Sequence, residues 1–72
     1  MTASNETLTR PDGSPVRVLV VDDEQMLADL LASALRYEGW EVTTAGTGIK
    51  AVQAAKEIEP DVVVLDIMLP DF

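Results

Sequence analysis

Two short apolar runs, each followed at once by an aspartate, constrain this 72-residue chain more than any other feature. Residues 16–21 (VRVLVV) are β-branched and apolar apart from Arg17, and they end at Asp22. Residues 62–65 (VVVL) are wholly apolar and end at Asp66. Runs this short and uniformly apolar are typical of parallel strands that are covered on both faces. Each run therefore predicts a strand with an acidic residue at its carboxyl end, and the first run is expected to be covered on both faces.

The segment between these runs predicts two helices that flank a further strand. Apolar residues recur at helical spacing after residue 25, and Gly39 stands where a helix commonly ends. Residues 41–45 predict a short strand, Thr47 can cap a second helix, and Pro60 ends that helix. The side chains expected to face the core are Met26, Leu30 and Leu31 in the first helix and Ile49, Val52, Ala55 and Ile58 in the second.

The β-α-β-α-β order predicts an α/β fold with an open parallel sheet. If the first strand is central, right-handed crossovers give the strand order 2-1-3 and place one helix on each face. Ligands of such sheets bind outside the carboxyl ends of neighbouring strands. We therefore expect Asp22, Asp23 and Asp66 to lie at one crevice.

Three carboxylates at one crevice need an explanation, because they repel one another. Two unit charges about 4 Å apart repel by about 4 kcal/mol at an effective dielectric of about 20. Either one carboxyl keeps its proton or a cation lies among them. Oxygen ligands favour Mg²⁺ over zinc, and a carboxylate can also accept a phosphoryl group. In the alternative, which stays open here, each aspartate only caps a helix or begins a turn.

Composition and charge exclude several classes of site. The chain has no cysteine and no histidine, so disulfides, thiol nucleophiles and imidazole ligands are excluded. Its formal net charge of −8 argues against nucleic acid or anionic lipid bound by this segment itself. No apolar run suits a membrane span or a secretory signal, which predicts a cytoplasmic protein. Residues 1–15 are expected to be a disordered polar tail.

The two acidic segments together resemble those of bacterial two-component response-regulator receiver domains. Residues 18–24 (VLVVDDE) look like the opening of such a domain, and residues 60–71 (PDVVVLDIMLPD) look like its phosphoacceptor segment. The resemblance spans residues 16–72 and implies the N-terminal part of a flavodoxin/CheY-like receiver, truncated after the third strand. The run after Asp66 is most similar to winged-helix transcription regulators of the OmpR/PhoB type.

The resemblance implies a role for each residue of the crevice. Asp66 would take a phosphoryl group from a sensor histidine kinase. Asp23 would bind Mg²⁺ directly, Asp22 mainly through water, and Met68 through its backbone carbonyl. The protein would be a phosphorylation switch that catalyses its own phosphorylation, not a turnover enzyme. It would control transcription through a DNA-binding output domain absent from this chain.

The third strand carries a further expectation, because its outer edge would have no partner in this chain. We expect this segment alone to be partly unfolded, or to pair through that edge with a second copy as a homodimer, by strand swapping or by aggregation. Two other functions stay open. A pseudo-receiver would signal by contact without phosphorylation, although the intact Asp22–Asp23 pair argues against it. A haloacid-dehalogenase-type phosphatase would have an aspartate two residues after the nucleophile, where this chain has Met68.

Overall fold

A computed structural model describes residues 9–65, which form a three-stranded parallel sheet with a helix on each face. The strand order is β2-β1-β3, so the predicted fold class and order are confirmed. Within residues 9–65, neither helix has the length and apolar character that a membrane span requires. The elements in chain order are β1 (Arg17–Val21), α1 (Gln25–Tyr37), β2 (Glu41–Ala45), α2 (Gly48–Ile58) and β3 (Val62–Leu65).

The central strand β1 supplies the core, since its last four residues are buried. Because side chains alternate along a strand, β1 contributes to two separate clusters. On one face, Val18 and Val20 pack with α1, and on the other, Leu19 and Val21 pack with α2. This arrangement places α1 and α2 on opposite faces of the sheet, as the handedness of the crossovers predicts.

The start of α2 and the ends of both helices lie where the sequence predicts them. The Thr47 hydroxyl accepts a hydrogen bond from the Lys50 N–H at 3.1 Å, which caps the start of α2. At the end of α1, Gly39 adopts a φ of 93°, and its N–H donates to the Arg36 carbonyl at 2.9 Å. At the end of α2, Glu59 takes the left-handed conformation directly before Pro60. These caps fix the lengths of the two helices and hence the position of the strands that follow.

The buried face of α1 differs from the predicted one. The side chains that pack on the sheet are Ala28 and Ala32, whereas Met26 and Leu30 are 84% and 68% exposed. The prediction that Met26, Leu30 and Leu31 form core is therefore wrong for the described residues. Small side chains let the helix approach the sheet closely, and the larger ones form a second apolar face.

The helix α2 shows a similar departure. Ala55 and Ile58 pack against the core cluster, as predicted, and Ala51 is a buried member of that cluster. Ile49 and Val52, which were expected to share that face, are exposed. Both helices therefore carry an apolar surface that the described residues do not cover.

The strand β3 is also only partly covered. It pairs with β1 along one edge, and its other edge has no strand partner among residues 9–65. All four of its side chains, Val62, Val63, Val64 and Leu65, are exposed by between 38% and 51%. The expected unpaired apolar edge is thus present in the part of the chain that the structure describes.

Residues 9–15, part of the predicted polar tail, form a local turn in the structure. Thr9 and Pro15 make an isolated antiparallel bridge. The Arg10 N–H donates to the Ser14 carbonyl, and the Gly13 N–H donates to the Arg10 carbonyl, both at 2.8 Å. The Arg10 side chain reaches Asp61, with Nε 3.6 Å from Oδ2. We call residues 9–15 the N-terminal arm.

Candidate functional site

The carboxyl ends of β1 and β3 lie side by side. Val21 is the register partner of Leu65, and both are the last residues of their strands. Asp22 follows Val21 directly, and its N–H donates to the Ala45 carbonyl at 3.0 Å. The end of β2 therefore holds Asp22 at this edge of the sheet. The other two predicted site residues, Asp66 and Met68, lie outside the described residues.

Asp22 and Asp23 differ in their surroundings. One oxygen of Asp22, Oδ1, accepts a hydrogen bond from the Glu24 N–H at 2.9 Å, so this carboxylate also shapes the turn that leads into α1. Asp22 is half-buried and Asp23 is exposed. Among residues 9–65, no group donates a hydrogen bond to the Asp23 carboxylate. Asp23 is thus the more available of the two to a ligand.

A groove of about 390 Å³ runs beside these strand ends. Its walls are apolar and its carboxylates, Asp22 and Glu24, come from the turn after β1. A second depression, of about 450 Å³, lies on the exposed apolar side of α1. Its one carboxylate, Asp29, accepts a hydrogen bond from the Gln25 side-chain amide at 2.8 Å. The candidate site is therefore the acidic turn after β1 at the strand ends, and both depressions are bordered by the uncovered apolar side of α1.

The donor chemistry of this edge suits a hard cation. Asp22 and Asp23 offer only oxygen ligands, which Mg²⁺ and Ca²⁺ prefer. Within residues 9–65, no group of three or more acidic, histidine or cysteine residues is close enough to hold a metal ion. The described carboxylates thus fit a magnesium site, since this ion is commonly held by one or two carboxylates and completed by water and phosphate oxygens.

A contact between Arg17 and Asp61, at the amino ends of β1 and β3, was not predicted from the sequence. The Arg17 N–H donates to Asp61 Oδ2 at 2.9 Å, and the Asp61 N–H donates to the Arg17 carbonyl at 2.8 Å. The Arg17 guanidinium also donates to the Ile58 carbonyl at 2.9 Å. The available signal was Arg17 itself, the one charged residue in an otherwise apolar strand.

Comparison with known proteins supplies an independent line of support. The family model described as the response regulator receiver domain matches residues 18–72. The probable transcriptional regulatory protein TcrX of Mycobacterium tuberculosis is 62% identical over 64 residues, which are 89% of this chain and 27% of that protein. The transcriptional regulatory protein TrcR of the same organism is 56% identical over 62 residues, which are 86% of this chain and 24% of TrcR.

Solved structures show the same fold. The chemotaxis response regulator CheY4 of Vibrio cholerae superposes with a TM-score of 0.78 at 30% sequence identity, covering 82% of this chain and 49% of CheY4. The chain thus spans about a quarter of the length of the curated relatives and about half of this structure. Because the family model matches most of the sequence, including both acidic segments, the chain belongs to the response regulator receiver domain family, which is a family of signalling modules.

Proposed function

We propose that this chain carries the phosphoacceptor site of a two-component response regulator, with Asp66 as the acceptor. The observation that supports this most directly is the pairing of Val21 with Leu65. The next residue after each is an aspartate, Asp22 and Asp66, and both follow strands that end at the same edge of the sheet. Residues 16–72 are then the N-terminal part of a receiver domain, and residues 1–15 are a polar segment that precedes it.

The proposed site binds Mg²⁺ through Asp22, Asp23, Asp66 and the backbone carbonyl of Met68. Asp23 is the direct ligand, because its carboxylate accepts no hydrogen bond from the described residues. Asp22 acts mainly through water, since its Oδ1 already accepts the Glu24 N–H. When bound, the cation neutralises charge on the transferring phosphoryl group.

The proposed reaction is a single phosphoryl transfer. A carboxylate oxygen of Asp66 forms a bond to phosphorus as the bond from phosphorus to the imidazole nitrogen of a kinase phosphohistidine breaks. The departing nitrogen keeps the electron pair, and the product is an acyl phosphate. The domain catalyses this transfer by positioning and by charge neutralisation, and the phosphorylated state is the signal.

The partners and the output follow from this role. The phosphodonor is a sensor histidine kinase, and the regulator acts in the cytoplasm. The relatives TcrX and TrcR are named as transcriptional regulatory proteins. Transcription control through a winged-helix output domain is therefore the proposed output. With a formal net charge of −8, this segment does not itself supply the DNA contacts.

The 72-residue chain is further proposed to associate with itself through β3. The outer edge of β3 lacks a strand partner among the described residues, and its side chains are about half-exposed. Unpaired backbone groups beside apolar side chains favour the addition of another strand. A second copy, as a homodimer or a strand-swapped pair, supplies such a strand.

A phosphodonor assay tests the proposed acceptor. The protein, in a chain that continues past Phe72 through a complete receiver domain, is incubated with a low-molecular-weight phosphodonor and Mg²⁺. The wild type is expected to gain one phosphoryl group that hydroxylamine releases, as it does from an acyl phosphate. The Asp66→Asn variant is expected to gain no phosphoryl group. The Asp23→Asn variant is expected to take up the phosphoryl group at least about tenfold more slowly than the wild type. Loss of a residue that merely hydrogen-bonds to a metal ligand already costs about tenfold, and Asp23 is proposed to bind the metal itself.

The matched control is Asp29→Asn, which changes an exposed carboxylate on α1 and is expected to react like the wild type. A phosphoryl group on the Asp66→Asn variant would contradict the assignment of the acceptor. A wild type that stays unphosphorylated and still binds a partner would support a pseudo-receiver instead.

A further inference from the structure

The register of β3 against β1 is not specified by the hydrophobic pattern of β3. Where one face of a strand is apolar and the other polar, a slip of one residue exposes the apolar set, so the pattern fixes the register. In β3 both alternating sets are apolar, Val62 with Val64 on one face and Val63 with Leu65 on the other. A one-residue slip would exchange these sets at little hydrophobic cost, so another contact has to specify the register.

That contact lies at the amino end of the strand pair. Asp61 donates its N–H to the Arg17 carbonyl at 2.8 Å, and its carboxylate accepts the Arg17 N–H at 2.9 Å. Two hydrogen bonds between the same two residues fix both their separation and their relative position along the strands. A slip in either direction would break both bonds. We call this pair the Asp61–Arg17 clamp.

The clamp connects to two neighbouring elements. The Arg17 guanidinium donates to the Ile58 carbonyl at the end of α2, at 2.9 Å. The Arg10 side chain of the N-terminal arm lies 3.6 Å from the same Asp61 oxygen that accepts the Arg17 N–H. The arm precedes the part that the family model matches, residues 18–72.

We infer that Asp61 is a positioning residue for the phosphoacceptor, because its clamp with Arg17 sets the register of β3 and thereby the point at which the chain leaves this strand for Asp66. The inference rests on the proposed function of Asp66. A strand transmits a shift at one end to the other, since one residue of slip moves the chain by about 3.3 Å and reverses every side chain. A misplacement of about 1 Å can already slow a positioned reaction about 100-fold.

Three substitutions at Asp61 separate hydrogen-bond geometry from charge. Asp61→Asn keeps an acceptor oxygen in place without the charge. Asp61→Glu keeps the charge and moves the carboxylate by one methylene, and Asp61→Ala removes the acceptor. Each is made in the same extended chain as the Asp66 variants. If Asp61→Ala fails to fold, Asp61→Asn and Asp61→Glu still decide the matter.

The register is measured without reference to phosphorylation. Contacts between β1 and β3, such as those of Val18 with Val62 and of Val20 with Val64, are followed by NMR. We expect them to persist in the wild type and in Asp61→Asn, and to weaken or move by one residue in Asp61→Glu and Asp61→Ala. Unchanged contacts in Asp61→Glu and Asp61→Ala would overturn the clamp, whatever the phosphorylation assay gives.

The rate of phosphoryl uptake is then measured on the same variants. Asp61→Asn is expected to stay within about threefold of the wild type, and Asp61→Glu to be about 100-fold slower. Arg10→Gln is expected to change the rate less than about twofold, because a partly exposed ion pair contributes little. A fast Asp61→Glu with a slow Asp61→Asn would show that charge matters instead, which would overturn the inference.

The two measurements separate this inference from the proposed function. If the register depends on Asp61 and even the wild type takes up no phosphoryl group, the proposed function fails and the clamp stands. If the register moves and the rate of uptake does not, Asp61 does not position Asp66 and the inference fails.

Discussion

The uncovered strand β3 leads to a quantitative prediction about the 72-residue chain. Complete burial of a valine or leucine side chain contributes about 1.5–3 kcal/mol. The four side chains of β3 are 38–51% exposed, so covering the remainder contributes about 1 kcal/mol each. The strand as a whole then contributes about 4 kcal/mol in each chain, and two associating chains together gain about twice that, from which the entropy cost of association is subtracted.

The test substitution is Val63→Lys. Val63 is 51% exposed, and a lysine there removes about 1 kcal/mol of burial from each of two associating chains. A lysine on an edge strand also opposes pairing, because association would bring two like charges together and would require the lysine to lose hydrating water. We expect the variant to self-associate at least about 30-fold more weakly than the wild type, the factor that about 2 kcal/mol corresponds to.

Sedimentation equilibrium over a wide range of protein concentration measures this association. The control is Tyr37→Lys, which places the same charge at a 91% exposed aromatic residue at the end of α1. The control is expected to associate like the wild type, since α1 and β3 do not contact each other. The reasoning is refuted if Val63→Lys associates as strongly as the wild type. It is also refuted if the wild type is monomeric throughout and its β3 amides are protected from exchange.

Three further predictions concern other parts of the chain. Ala32 is wholly buried against the sheet, so Ala32→Leu is expected to lower the free energy of unfolding by about 1–3 kcal/mol in urea; unchanged stability would contradict the close packing of α1. Added Mg²⁺ is expected to shift the NMR signal of Asp23 and to leave the fluorescence emission of Trp40 nearly constant. Trp40 precedes the five-residue strand β2, so it lies about 16 Å from the carboxylates at the other end of the sheet. A large change in the emission would count against the proposed site. Hydrogen bonds from Ser14 lower the pKa of Asp12 below its ordinary value. The ionised carboxylate therefore stabilises the folded turn above that ordinary pKa, and this contribution is lost as the pH falls through the lower folded pKa. NMR titration is expected to show the pKa of Asp12 rising towards its ordinary value in Ser14→Ala, and an unaltered pKa would exclude this cause.

The strand order and the acidic edge could be predicted because few alternatives exist. Right-handed crossovers and a central first strand leave one order for three parallel strands, which the structure confirms. The same connectivity places Asp22 at the carboxyl end of β1, and Thr47 and Gly39 have the local conformations that their sequence positions indicate. The roles of Asp66 and Met68 stay predictions, since both lie outside the described residues.

The buried face of α1 could not be predicted from periodicity, because this helix is apolar on two faces. Hydrophobicity alone favours the face with Met26 and Leu30, yet the sheet accommodates the small side chains of Ala28 and Ala32. Which face is buried depends on the distance between the helix and the sheet, and the spacing of apolar residues carries no information about that distance. The contact of Arg17 with Asp61 is similarly hidden, because it joins residues 44 positions apart and depends on the strand register.

The division of α1 into a small-residue face and a large-residue face has a consequence for the order of events during synthesis. The alanine face packs on Val18, Val20 and Val42, all of which lie within about one helix length of it along the sequence. In a longer protein of this family, that layer has its components as soon as β2 has left the ribosome. The leucine and methionine face is left uncovered by residues 9–65. A nascent chain that has emerged only this far therefore exposes a large apolar surface, which makes it prone to aggregation and a substrate for chaperones.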